Sequence, residues 1–97
     1  MREYEVTVVL KPDLDDETRA EVLGRVEGWL TQGEGEDAKP HADHWGQRTL
    51  AYEVSGYGEG YYVFYQANLE PVKVGETERN ILYVDEILRH LIVRKEA

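Results

Sequence analysis

The groups in this 97-residue sequence that could do chemistry are three histidines, scattered arginines and many carboxylates. His41, Asp43 and His44 lie close together and His90 could approach from another strand, a set that includes common zinc-ligand types. On an extended strand, however, residues three apart point to opposite faces, so surface histidines are the expected reading and no metal is assigned. There is no cysteine, which excludes a disulfide framework, thiolate zinc sites and a cysteine nucleophile. Carboxylates are plentiful, but acid–base catalysis needs positioned groups of differing pKa, and a run of them is better explained by a solvated helix. No cofactor and no catalytic activity are expected.

The cations are unevenly placed. A formal charge of −9 argues at first against nucleic acid, because phosphate binding relies on Lys and Arg displacing counterions. From Asp13 to Asp37 there are nine acidic residues against Arg19 and Arg25, so that stretch should face away from any polyanion. From Arg79 to Lys95 the balance reverses, with Arg79, Arg89, Arg94 and Lys95 outnumbering Asp85 and Glu86. The chain is electrostatically polarised.

The elements that must position these groups follow from periodicity. Arg2, Tyr4, Val6, Val8 and Leu10 alternate with Glu3, Glu5, Thr7 and Val9, the period of a strand with one buried face. Beyond Pro12, Asp13, Asp15 and Asp16 suit the start of a helix, whose apolar residues Val22, Leu23, Val26, Trp29 and Leu30 recur every three or four positions. That helix is expected to end near Gly33 and Gly35. The segment from Lys39 to Val54 is rich in β-branched and aromatic residues, and Ser55, Gly56, Gly58 and Gly60 separate it from Tyr61 to Leu69, which predicts a β-hairpin. Pro71 opens a second helix with Val74, Ile81 and Leu82 as its apolar stripe, and Ile87 to Val93 forms a last strand.

The order β-α-β-β-α-β, in one domain over residues 1–97, implies an α+β fold of the ferredoxin-like, split βαβ type. Two helices then cover one face of a four-stranded antiparallel sheet and leave the other open. Alternation alone allows either Tyr62 and Phe64, or Tyr61, Val63 and Tyr65, to face outward. Because Tyr62 and Phe64 are followed on the same side by Gln66 and Asn68, that set is expected on the open face as a binding patch. An acylphosphatase-like enzyme of this fold would need a phosphate-cradling loop after the first strand. The residues there are Lys11, Pro12, Asp13 and Leu14, where Pro removes a donor and Asp repels phosphate.

Three blocks carry a family resemblance: Met1, Arg2, Tyr4 and Glu5; Trp45, Gly46, Arg48, Leu50, Ala51 and Tyr52; and Ile87, Leu88, Arg89 and Arg94. Across essentially its whole length the sequence resembles bacterial small-subunit ribosomal protein six, with the block from Trp45 to Tyr52 the most specific. The resemblance implies the ferredoxin-like fold, a cytoplasmic place in the ribosome, contact with the central domain of small-subunit ribosomal RNA, and pairing with ribosomal protein eighteen. Arg2, Arg48, Arg89, Arg94 and Lys95 are the candidate RNA-binding residues, and Trp45, Tyr62 and Phe64 the candidate partner-binding residues. Arg48 follows Gly46, where missing bulk would allow close approach, and a guanidinium can hold phosphate with two hydrogen bonds. Arg2, Arg89 and Arg94, on the first and last strands, are expected to form a basic strip.

The sequence departs from the family in carrying Gln47 where Arg is usual, and in lacking the Lys commonly found beside the Ser55–Gly60 loop. Weak RNA affinity is therefore expected of the protein alone. Contacts made by the C-terminal extension common in the family are not carried over. The rival reading is a self-associating ferredoxin-like regulatory or interaction module, which size-exclusion of the isolated protein against its partner would separate. Arg2, Glu3 and Glu5 interrupt the start of the chain, so neither a signal peptide nor a membrane span is expected.

Overall fold

The computed structural model describes residues 1–95, and the order of elements is the expected one. Strand β1 spans Arg2–Leu10, helix α1 Asp16–Leu30, β2 His41–Val54, β3 Tyr57–Leu69, α2 Val74–Leu82 and β4 Ile87–Arg94. Short 3₁₀ turns at Glu36–Ala38 and Pro71–Lys73 lead into β2 and α2. The sheet runs β2-β3-β1-β4 and every pairing is antiparallel. Among the described residues no helix is long and apolar enough to cross a membrane.

Helix α1 begins where Asp15 caps it, its carboxylate accepting from the Thr18 backbone N–H at 2.7 Å. Hydrogen bonding from Thr18, through its side chain and then its backbone N–H, holds the Asp15 carboxyl below its ordinary pKa. The helix stops at Leu30, short of the glycines at which it was expected to end. Thr31 turns extended, and its hydroxyl donates to the Glu27 carbonyl at 2.7 Å, satisfying one of the last-turn acceptors in place of a glycine cap.

The core lies between the helices and one sheet face. Tyr4, Val6, Val8 and Leu10 of β1 and Val63, Tyr65, Ala67 and Leu69 of β3 meet Val22, Leu23, Val26 and Leu30 of α1 and Ile81 of α2. The odd-numbered residues of β3 are thus internal, as expected, and Tyr62 and Phe64 belong to the other face. Two details differ. The stripe of α2 is Val74, Thr77 and Ile81, spaced three and four apart, whereas Leu82 falls one position off that line and is exposed. The hairpin turn is confined to Ser55 and Gly56, both at positive φ (51° and 84°), so β3 starts at Tyr57 rather than Tyr61. Positive φ at both central residues is the two-residue turn whose twist matches that of the flanking strands, which frees Gly58 and Gly60 to join the ladder.

Candidate functional site

The sheet face away from the helices collects side chains in transverse rows set by the register. Opposite Phe64 stand Thr7 and Asp43; opposite Tyr62 stand Val9 and Gly46; opposite Gly60 stands Arg48. On the far edge Val93 lies opposite Glu5, Leu91 opposite Thr7 and Arg89 opposite Val9. Charge therefore changes along the face, from Glu3, Glu5 and Asp43 at one end, across an apolar centre, to Arg48 and Arg89 at the other.

Aromatic side chains dominate the centre. The register of β2 shifts between His44 and Gly46, so Trp45 is the extra residue of a bulge. The indole, two residues beyond Asp43, lies on the open face beside Tyr62 and Phe64, and the shift brings Gly46 and Arg48 to that face as well. The three rings are nearly parallel, Trp45 to Phe64 at 5.7 Å and 9° and Trp45 to Tyr62 at 6.5 Å and 11° between planes. The indole N–H of Trp45 donates to Asp43 Oδ2 at 3.1 Å, and Arg48 Nε donates to the Trp45 carbonyl at 3.3 Å. Gly46 has φ +82°, and a Cβ there would meet nothing within 4 Å. The positive φ at this bulge is itself a reason for glycine here.

Beside the aromatics lies a small second core on this face. Val9 is 4% exposed and Leu50 8%, although neither faces the helices. Gly60 makes this possible, because a Cβ there would collide with Val9 Cγ1 and approach Leu50 Cδ2 at 3.6 Å. A shallow depression of about 210 Å³, lined by Thr7, Val9, Tyr62 and Leu91 with Arg89 at its side, opens next to this cluster. The Arg89 guanidinium lies 5.1 Å from the ring centre of Tyr52, within range of a cation–π contact.

The expected basic strip is not formed. Arg89 lies on the open face, whereas Arg94 pairs with Tyr4 and Arg2 with Leu69, which puts both on the helix-facing side. Positions 89 and 94 are an odd number apart, and a regular strand sends such residues to opposite faces. Arg48 is on the open face but on β2, with β3 and β1 between it and β4. Arg2, Arg48, Arg89 and Arg94 are exposed and form no ion pair among the described residues, while Lys95 meets Glu3 at 3.4 Å. The register also separates His41, opposite Gln66 and so on the open face, from His44, opposite Val63 on the other.

Sequence reasoning missed Asp43 as the clamp of Trp45, Tyr52 as the support of Arg89, and the Val9–Leu50 cluster. Val9 had a signal in the run Val8, Val9, Leu10, which breaks the alternation.

Comparison with known proteins bears on what this face serves. The family model for ribosomal protein S6 matches residues 3–94. Small ribosomal subunit protein bS6 of Desulforudis audaxviator is 38% identical over 99% of this chain and 100% of its own length. The bS6 of Desulfitobacterium hafniense is 40% identical over 99% of each chain. The crystal structure of 30S ribosomal protein S6 from Thermotoga maritima superposes with a TM-score of 0.83 at 25% identity, covering 97% of this chain and 87% of that one. Sequence, length and fold agree, and the chain belongs to the bacterial ribosomal protein S6 family, a structural, non-enzymatic constituent of the small ribosomal subunit.

Proposed function

We propose that the protein takes its place in the subunit by docking its open sheet face on ribosomal protein eighteen, and that the pair then binds the central domain of the small-subunit RNA. The observation that carries this reading is the aromatic cluster of Trp45, Tyr62 and Phe64 on a face that no helix covers. Trp45 is 46% exposed, and Leu91 and Val93 on the opposite edge strand of the same face are 59% and 44% exposed. Clustered aromatics of this kind are the usual anchors of a protein interface.

The RNA contribution falls to a few cations. Arg48 and Arg89 border the apolar centre, while Arg2, Arg94 and Lys95 gather where β1 begins and β4 ends. A chain with a charge of −9 and so few unpaired cations neutralises few phosphates, so affinity alone is low and rises when the partner supplies the rest.

Calorimetry with ribosomal protein eighteen tests the face. Phe64→Ala is expected to weaken the heterodimer by about 2 kcal/mol, in the range of an interface anchor, with thermal stability nearly unchanged. A core-sized loss of about 3–5 kcal/mol in folding with no separate binding defect would overturn the reading. Filter binding to central-domain RNA should show little retention by the isolated protein and strong retention by the pair. Size-exclusion settles the rival, since a stable homodimer that excludes the partner would make the face self-associating.

A further inference from the structure

We propose that the outer face of Trp45, together with Asp43, is a receptor for an arginine side chain of the protein partner; this rests on the reading that the open face docks a protein. Strand β2 is an edge of the sheet, so the indole has Tyr62 and Phe64 on one side and no further strand on the other. The bulge at Gly46 and the hydrogen bond to Asp43 hold the ring in this attitude before anything binds. A rigid, exposed indole face is the best side-chain partner for a cation–π contact.

Asp43 selects which cation. Its Oδ2 accepts from the Trp45 indole N–H at 3.1 Å, and its Oδ1 has no hydrogen-bond partner among the described residues. A guanidinium stacked flat on the indole could turn one edge toward Oδ1, combining a planar stack with a charge-assisted hydrogen bond. A lysine ammonium is a compact, strongly hydrated point charge and cannot stack in this way. A nucleobase fits the flat ring, but the phosphates it brings would meet the Asp43 carboxylate, and Glu5 lies on the same face. The acidic end of the open face thus favours a basic protein segment over a nucleic acid.

Two substitutions test the receptor without disturbing the core. Asp43→Asn retains a carbonyl acceptor for the indole N–H and removes only the charge. Trp45→Leu retains apolar volume and removes the ring. Each is expected to weaken binding of ribosomal protein eighteen by roughly 3- to 30-fold, with the melting temperature unchanged. The Asp43→Asn deficit should shrink at high salt. Replacing the partner's arginines one at a time by lysine should reveal one whose effect disappears in the Asp43→Asn background. If both variants bind as the parent does while Phe64→Ala still weakens the heterodimer, the receptor is wrong and the docking face stands. Should all three variants bind normally, the face itself is misassigned and the receptor falls with it. A loss in RNA retention by the pair, with heterodimer affinity intact, would make Trp45 a platform for a base and would likewise overturn the inference.

Discussion

The hydroxyl of Tyr65, at the centre of the helix-facing sheet surface, donates a 2.8 Å hydrogen bond to the carboxylate of Glu27 on α1. Tyr65 is fully buried, and Glu27 reaches it from the acidic helix. This bond ties the most acidic element of the chain to its core. Burial and the neighbouring carboxylate together raise the phenol's pKa far above its ordinary value.

Removing the hydroxyl in Tyr65→Phe is therefore expected to destabilise the fold by about 1–2 kcal/mol, since a buried bond to a carboxylate is lost while the ring volume remains. Urea unfolding measures it.

The pH dependence has a definite sign. In the folded state Tyr65 keeps its proton, whereas the unfolded chain releases it near the ordinary phenol value of about 10. The bond's stabilisation is full below that pH and declines as pH rises above it, because the folded state then binds more protons than the unfolded one. Parent and Tyr65→Phe should converge in stability in that alkaline range. A gap that stays constant there would show that the hydroxyl is not held protonated.

The same bond decides which carboxylates test the outward helix. Glu27 is structural, but Glu17 and Glu21 are exposed. Changing both to Gln should leave incorporation into small subunits nearly unaffected, as measured by the protein's stoichiometry in purified particles. A large loss of incorporation would mean that α1 faces a partner.

Much of this architecture was legible in the sequence because both periods are strongly written. Tyr4, Val6, Val8 and Leu10 mark a buried face at period two, and the polar turn at Gln66 and Asn68 placed Tyr62 and Phe64 outward. What was not legible depends on local breaks in those periods. The bulge at Trp45 alters the parity of β2, and nothing in the string of residues states that Gly46 takes a positive φ at that bulge. The sides taken by Arg89 and Arg94 could have been read, since their odd separation already separates them. The Gly-rich run 56–60 was read as loop, although only Gly56 takes a positive φ; Gly58 and Gly60 lie in β3.

The turn itself carries a prediction. Ser55 is the one non-glycine residue with positive φ among those described, at 51°. Left-handed backbone costs a side chain roughly 1–2 kcal/mol, and Asn bears it better than Ser. Ser55→Asn should raise stability by a few tenths to about 1 kcal/mol, whereas Gly56→Val should lower it. Thermal melts compare the two.

Gly60 offers the sharpest test of the second core. It sits in the middle of β3, where glycine is ordinarily a weakness because it adds no packing and leaves the unfolded chain more freedom. Its compensation lies across the sheet, in the space that Val9 and Leu50 occupy. A Cβ would strike Val9 Cγ1 and sit 3.3 Å from the Leu10 carbonyl oxygen, and neither neighbour is the free end of a flexible chain. Gly60→Ala is accordingly expected to destabilise by about 1–3 kcal/mol, the usual cost of overpacking, despite alanine's better strand behaviour. The double variant Gly60→Ala with Val9→Ala separates the causes. If the collision with Val9 is responsible, the two changes together should cost less than the sum of each alone, because Val9→Ala opens the space that the new methyl needs. Additive losses would instead place the cost at the Leu10 carbonyl, and with it the reason for glycine at this position.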